Sequence, residues 1–212
     1  KRKARLSRLS PSYWITVVLL AVTWFIGFES RGSTRWLNLG PVNFQPSEFA
    51  KPILILALAS ILRIWKLDSV PVSLFGDELD AGYHAYSILK TGRDYSGNFL
   101  PLHFRSLAEW RTPLYIYSTV PTVGIFGISP LGVRLPAAIF GILSIWIIYV
   151  LVKKITSRET IALFSALFLA ISPWHLQYSR AGFEVTQLLF FYMTGIYFFL
   201  KGLKSSKWFL LA

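Results

Sequence analysis

Three carboxylates stand within four positions of the stretch FGDELDAGYHA, at Asp77, Glu78 and Asp80. A carboxylate can take the proton from a hydroxyl group and so act as a general base. Further along the chain lies Arg111, and a guanidinium can hold a phosphate group through two parallel hydrogen bonds. These residue types suit chemistry in which a hydroxyl group attacks and a phosphate group departs.

Each of these groups also has a structural interpretation. Carboxylates are favourable in the first turn of a helix, where they complement the positive end of the helix dipole, and FGDELDAGYHAYSIL is consistent with such a turn. Arg111 follows Trp110, and both residue types commonly anchor a chain at the membrane interface. The residues alone leave both interpretations open, and for the acids the two roles are compatible.

The sequence gives less support to a metal site or a nucleotide-binding site than to this acid–base chemistry. His84, His103 and His175 lack the paired spacing of a zinc site, and the chain has no cysteine. We predict no metal ligands, although the acid cluster could recruit Mg²⁺ or Mn²⁺ through carboxylate oxygens. The glycine-rich fingerprint of a nucleotide-binding fold is also missing from the sequence.

The composition places these residues in a membrane protein. Of the 212 residues, 54% are hydrophobic and 15% are charged, whereas soluble domains carry about 25% charged residues. The net charge is +12, but the basic residues cluster at the ends of apolar runs, at 1–8, 153–158 and 201–207. That distribution is typical of cytoplasmic loops and not of a nucleic-acid-binding face. We therefore predict an all-α, polytopic integral membrane protein of the plasma (inner) membrane, with membrane lipids and no nucleic acid as partners.

Apolar runs alternate with polar segments along the chain. The runs are Tyr13–Phe28, Pro52–Trp65, 113–128, Pro136–Val152, Thr160–Pro173 and Val185–Leu200. Between the second and third runs, the polar stretch 67–112 holds six of the ten acidic residues. Within it, the spacing of Leu79, Tyr83, Tyr86 and Ile88–Leu89 predicts a short amphipathic helix at the membrane interface, ending at a glycine.

The basic segments predict the orientation. If 153–158 and 201–207 are both cytoplasmic, the turn 175–184 lies outside, and loop 67–112 joins it provided that 113–128 does not span. Arg180 and Glu184 would then lie on the same face as Asp77, although Arg180 also suits an interfacial anchor. The basic N-terminal stretch fits this topology only if one early run fails to cross, the N-terminus inverts, or 113–128 spans.

The connector between the first two runs resembles the signature loop of the SEDS family, the membrane peptidoglycan polymerases of cell shape and division. Its sequence is GSTRWLNLGPVNFQPSEFAK. The matching residues are Gly32, Arg35, Trp36, Leu39, Gly40, Gln45, Pro46, Ser47, Glu48 and Lys51. The resemblance covers about the first quarter of the chain.

The remainder resembles the C-type glycosyltransferases, such as protein O-mannosyltransferases and aminoarabinose transferases, which use polyprenyl-phosphate sugars. Three stretches carry this resemblance: LRIWKLDSVPVSLFGDE, EWRTPLYIY, and FGISPLGVRLPAAIFGILSIWIIYVLVKK followed by AISPWHLQYSRAGFE. The second departs from the family pattern, with Arg111 in place of Lys and Thr112 in place of the first Pro. We place the boundary near Lys51, giving segments 1–51 and 52–212.

The second resemblance implies sugar transfer at the extracytoplasmic face from a polyprenyl-phosphate donor to an unknown acceptor. Asp77 would be the general base, with Glu78 orienting it or binding the acceptor. The substrate-binding candidates are Arg111, for the lipid phosphate, together with Glu109, Arg180 and Glu184. Two alternatives remain: a SEDS-type peptidoglycan polymerase, and a non-catalytic membrane protein that binds polyprenyl phosphate. We expect the chain to be part of a longer protein with a truncated C-type fold, and to be inactive by itself.

Overall fold

The computed structural model describes residues 28–30, 33–38, 43–44, 46–106, 109–203, 208 and 211. The strands are β1 (Phe28–Ser30), β2 (Ser33–Asn38), β3 (Asn43–Phe44), β4 (Phe104–Arg105) and β5 (Trp110–Arg111). The helices are α1 (Pro46–Ile64), α2 (Gly76–Thr91), α3 (Pro113–Phe126), α4 (Pro130–Thr156), α5 (Glu159–Ile171), α6 (Pro173–Arg180) and α7 (Val185–Gly202). The chain divides into two compact units, Lys1–Leu54 and Ile55–Ala212.

In the first unit, β1, β2 and β3 form an antiparallel sheet in that order. Phe28 pairs with Trp36, and Leu37 pairs with Phe44. The SEDS-like connector is therefore partly extended, and the all-α prediction holds only as a mostly helical fold. Except for Phe28, the run Tyr13–Phe28 lies outside the described residues, as do Gly32, Leu39, Gly40 and Gln45 of the signature. Their roles stay predictions.

The second unit is built around α4, which packs against α3, α5, α6 and α7. Alanines four residues apart on α5 give it a flat face, which lies in a core cluster with Ile145 and Tyr149 of α4. These alanines are Ala162, Ala166 and Ala170. On the α7 side, Ile147 and Leu151 of α4 pack with Met193. Helix α4 thus supplies the central surface of the unit.

Among the described residues, α4 has the length and apolar composition needed to cross a membrane, with 27 residues. Helices α5 and α6 pass the same test only together, as a pair bent by 57°. The structure therefore supports one or two crossings by length and composition. The predicted polytopic arrangement remains a proposal.

Helix α2 confirms the predicted helix between the second and third apolar runs. It starts at Gly76 and is capped by Gly92 with φ 69°, in the left-handed region that glycine adopts without a Cβ penalty. Of the predicted apolar positions, Ile88 is buried, whereas Leu79, Tyr83, Tyr86 and Leu89 are exposed. The opposite face carries the small residues Ala81, Gly82 and Ala85, together with Glu78 and His84. These small side chains let α2 approach α3 and α4 closely, and the placement of its exposed apolar side chains at the membrane interface stays a prediction.

The predicted turn 175–184 is wrong over most of its length. Residues Pro173–Arg180 form α6, and only the next four residues form a loop before α7. Proline has no N–H to continue α5 but is well suited to the first turn of a new helix. Pro173 therefore ends one helix and begins the next.

Candidate active site

The guanidinium of Arg111 is the centre of a group of acids. It forms an ion pair and hydrogen bond with Asp77, and its Nη2 lies 2.9 Å from Glu109 Oε1. Its Nε lies 3.6 Å from Asp80 Oδ2, too far for a hydrogen bond. Asp77 and Asp80 are three residues apart in the first turns of α2, so they project from the same face of the helix. The structure thus brings together three of the predicted site residues and adds Asp80.

A short hairpin positions Arg111. Strand β5 pairs with β4, with Phe104 opposite Arg111. Residues paired across an antiparallel ladder point to the same side. On that side Phe104 is fully buried, with its ring 4.8 Å from the His84 ring and 5.5 Å from the Tyr117 ring. Phe104 therefore anchors the hairpin onto α2 and α3 and holds Arg111 over the acids.

A second layer supports Asp80. The Tyr95 hydroxyl lies 2.8 Å from Asp80 Oδ1 and 3.0 Å from the Arg105 carbonyl oxygen. The Tyr95 ring stacks on the imidazole of His84 at 3.9 Å, and His84 is fully buried one turn after Asp80. Asp80 is therefore fixed between Arg111 and Tyr95.

The charges in this group shift several pKa values. Burial alone would lower the pKa of Arg111, but the hydrogen bond that Arg111 donates to Asp77 and the charges of Asp77, Glu109 and Asp80 outweigh it and raise that pKa. Loss of solvent and the hydrogen bond to Asp80 raise the pKa of Tyr95 to about 12. Burial lowers the pKa of His84, against the charge of Asp80. At neutral pH, Arg111 is therefore a cation, Tyr95 a hydrogen-bond donor and His84 a neutral ring.

Glu78 has contacts that point to a structural role, and its predicted part in catalysis stays a prediction. Its Oε1 accepts hydrogen bonds from Arg134 Nε and the Gly182 N–H, both at 2.7 Å, and its Oε2 accepts from Arg134 Nη2 and the Phe75 N–H, both at 2.9 Å. The side chain is only 2% exposed. Burial alone would raise the pKa of Glu78, but the hydrogen bonds from Arg134, Phe75 and Gly182 hold it below its usual range. Glu78 has no free lone pair with which to orient Asp77 or bind an acceptor.

Arg180 is likewise occupied by the backbone and not by the acid group. Its Nη1 donates to the Leu62 carbonyl at 2.7 Å, and its Nη2 donates to the carbonyls of Trp65 and Val70 at 2.8 and 2.9 Å. These contacts satisfy carbonyl groups at and beyond the C-terminal end of α1. Arg180 thus has a structural role at the end of α1, and its predicted substrate contact stays a prediction.

Glu184 lies immediately before α7, half-buried, at the end of the loop that follows α6. This loop contacts the N-terminal turn of α2, because Gly182 donates to Glu78 and the Phe183 ring lies 6.5 Å from the Phe75 ring. Glu184 is thus near the start of α2. In the part of the chain that the structure describes, no salt bridge joins it to Arg111.

Exposure separates the acids around Arg111. The Asp77 side chain is 32% exposed, that of Asp80 15% and that of Glu109 60%, and Arg111 itself is 14% exposed. Asp77 and Glu109 are therefore the acids that combine an ion pair to Arg111 with substantial exposure, and of these only Asp77 lies on a helix. Within the described residues, no group of three or more His, Asp or Glu side chains is arranged to hold a metal ion.

Sequence reasoning gave Asp80 no favoured catalytic role and assigned none to Tyr95 or His84. The spacing of Asp77 and Asp80 by three residues already places them on one helix face, a signal that could have been used. The contribution of Tyr95 had no comparable signal, because it depends on the path of the loop after Gly92.

Two family models match different parts of the chain. The family of FtsW, RodA and SpoVE, described as cell cycle protein, matches residues 4–74. The family described as dolichyl-phosphate-mannose-protein mannosyltransferase matches residues 111–212. Both resemblances are confirmed. The first match continues past Lys51, and residues 75–110, which contain Asp77 and Asp80, lie in neither match.

Curated relatives fall into the same two groups. A probable peptidoglycan glycosyltransferase FtsW of Synechocystis sp. is 39% identical over 56 residues, covering 24% of this chain and 14% of the relative. Another from Haemophilus influenzae is 43% identical over 79 residues, covering 32% and 20%. Dolichyl-phosphooligosaccharide-protein glycotransferase 2 of Pyrococcus horikoshii is 34% identical over 111 residues, covering 50% and 14%.

The chain thus spans at most a fifth of the length of these three relatives. No solved structure matches the chain. The relatives in both groups are named as enzymes that transfer glycosyl groups.

Proposed function

We propose that the protein takes part in sugar transfer from a polyprenyl-phosphate donor to a hydroxyl-bearing acceptor at the extracytoplasmic face of the membrane. The observation that carries the proposal is Arg111 held against the partly exposed Asp77. One side chain suits the departing phosphate and the other suits the attacking hydroxyl. The mannosyltransferase family match supports the donor class, and it begins at Arg111.

In this reaction Asp77 accepts the proton of the acceptor hydroxyl as its oxygen bonds to the anomeric carbon of the sugar. The bond between that carbon and the phosphate oxygen breaks, and the polyprenyl phosphate leaves with the bonding electrons. A fixed cation stabilises the charge that develops on the leaving group, and Arg111 supplies it. Asp80 and Tyr95 keep Arg111 in place, and Glu109, at the exposed rim, contacts the same guanidinium.

The test is sugar transfer in membranes that contain the protein expressed from its complete coding sequence. Radiolabelled polyprenyl-phosphate mannose and polyprenyl-phosphate aminoarabinose serve as donors. We expect Asp77→Asn to lower transfer by about 100-fold or more, since the amide cannot accept the proton. Asp68→Asn is the matched control, because Asp68 is exposed and its side chain accepts a hydrogen bond from the neighbouring Ser69 hydroxyl. Transfer that is unchanged in Asp77→Asn would refute the proposal.

A second candidate function is peptidoglycan polymerisation, which the match over residues 4–74 favours. The Arg111 group lies outside this match, because its residues all follow position 74. This candidate would be supported if the same membranes polymerised lipid-linked disaccharide-peptide and if Asp77→Asn left the rate of polymerisation unchanged. Binding of polyprenyl phosphate without transfer of either kind would instead indicate a non-catalytic lipid-binding protein.

A further inference from the structure

The last turns of α4 and α7 carry the same short pattern, a tyrosine followed four residues later by a lysine. The two copies are YVLVK, from Tyr149 to Lys153, and YFFLK, from Tyr197 to Lys201. Four residues place each lysine one turn beyond its tyrosine on the same helix face. The Lys153 ammonium lies 5.5 Å from the centre of the Tyr149 ring, and that of Lys201 lies 5.2 Å from the centre of the Tyr197 ring.

A cleft separates the two helix ends, and it consists of two adjoining cavities that share Lys153 and Lys154. The first has a volume of about 320 Å³ and is lined by Tyr149, Val150, Lys153, Lys154 and Tyr197. The second has a volume of about 530 Å³ and is lined by Lys153, Lys154, Ile155, Ser157, Leu200 and Leu203. Each cavity is therefore lined both by the two lysines and by apolar side chains.

The charge in the cleft is only partly balanced. Lys153 donates to the Tyr149 hydroxyl at 3.2 Å and to Glu159 at 3.3 Å. Lys154 is half-buried and has no ion pair within the part of the chain that the structure describes. The segments 153–158 and 201–207 together hold six basic residues and no acidic residue. The Lys154 ammonium is thus a cation in the cleft that no described carboxylate neutralises, and it can bind an anion.

We propose that this cleft binds the headgroup of an anionic phospholipid. The phosphate would lie between Lys153 and Lys154, with an acyl chain following Val150 and Leu200 along the groove between the helices. Basic pockets between helices at one membrane surface recognise anionic headgroups in this way. Lysines in a last helical turn also complement the helix dipole, but that role requires neither a shared cleft nor a second helix. The proposal is independent of the proposed sugar transfer.

The experiment measures lipid binding to the purified protein in detergent by native mass spectrometry. The probes are palmitoyl-oleoyl phosphatidylglycerol, palmitoyl-oleoyl phosphatidylcholine and water-soluble glycerophosphoglycerol. We expect phosphatidylglycerol to bind about tenfold or more tightly than phosphatidylcholine. The double variant Lys153→Gln/Lys154→Gln is expected to weaken phosphatidylglycerol binding about 25-fold, roughly fivefold for each lysine.

The matched control is Lys66→Gln/Lys90→Gln, which removes two exposed lysines elsewhere in the same unit and is expected to leave binding unchanged. Lys153→Arg/Lys154→Arg keeps the charge and is expected to retain binding, which separates charge loss from misfolding. Equal binding of the two phospholipids, or unchanged binding by the double Gln variant, would overturn the proposal. So would displacement of phosphatidylglycerol by an equal concentration of glycerophosphoglycerol, because the site would then be a simple anion site.

Discussion

At the scale of single residues, the neighbouring acids Asp77 and Glu78 have different environments. Successive helical residues point about 100° apart, because a turn contains 3.6 residues. Asp77 therefore faces the hairpin and Arg111, whereas Glu78 faces the interior and Arg134. Arg134 is fully buried and also donates to the carbonyls of Pro71 and Ser73 at 2.8 and 2.7 Å. The Glu78–Arg134 pair thus ties α2, α4 and the loop before α2 together.

Replacing Glu78 by Gln should destabilise the protein. Removing one partner of a buried ion pair costs about 3–5 kcal/mol, because the remaining charge is left uncompensated. Denaturant unfolding of the purified protein at pH 7 measures the loss. Glu109→Gln is the control, since Glu109 is 60% exposed and its ion pair is worth about 1 kcal/mol or less.

The pH dependence of the difference in unfolding free energy between wild type and Glu78→Gln gives an independent check. The folded-state pKa of Glu78 is lowered, so the stability it contributes is present above the unfolded-state value of about 4.3 and is lost as pH falls through the lower folded value. The gap between wild type and Glu78→Gln should therefore be full at pH 7 and shrink below about pH 4. A gap that widens on acidification would contradict this role of Glu78.

At the scale of elements, the bend between α5 and α6 determines where the loop after α6 lies. Arg63 of α1 is fully buried at this bend and donates to the Ala170 carbonyl at 3.1 Å, near the C-terminal end of α5. Its Nη2 lies 2.8 Å from His175 Nδ1 of α6. Helix α6 in turn approaches α4 closely at Gly141, where an added Cβ would lie 2.7 Å from the Ser179 Cβ. This packing places Gly182 within reach of Glu78.

Gly141→Ala should therefore destabilise the contact between α4 and α6 despite the better helix propensity of alanine. Overpacking of a tight contact typically costs about 1–3 kcal/mol, against a gain of about 1 kcal/mol from propensity. Gly124→Ala in α3 is the matched control, because its Cβ would meet Leu89 at an ordinary 3.4 Å. Thermal unfolding in detergent should show a lower Tm for the first variant and an equal or higher Tm for the second. The reverse order would show that α4 and α6 are not in close contact.

At the scale of the whole molecule, the proposed function requires the Arg111 group to lie at the extracytoplasmic face, and we expect the Lys153–Lys154 cleft on the opposite side of the membrane. Helix α4 connects these two regions of the unit and is long enough to cross. The basic segments favour the cytoplasm for the cleft. The two family matches lie on either side of the acid-bearing stretch 75–110, which separates them.

Single-cysteine labelling tests this topology on a clean background, since the chain has no cysteine. Ser96 and Ser157 are both exposed, the first in the acidic loop and the second after α4. We expect a membrane-impermeant maleimide to label Ser96→Cys in intact cells and to label Ser157→Cys only after permeabilisation. Labelling of both positions in intact cells, or of Ser157→Cys alone, would exclude the proposed orientation.

By itself, the sequence determined the mostly helical composition, the two family resemblances and the glycine that ends α2, and it named Asp77 and Arg111 as site candidates. These are local or compositional properties, since capping, apolar length and motif spacing depend on nearby residues. The tertiary structure decided which acid is free and which arginine is committed. Glu78 is paired with Arg134, 56 positions away, and Arg180 caps the end of a helix more than 100 positions earlier. Such pairings depend on how helices pack, because a polar group is satisfied by whichever donor the fold brings to it.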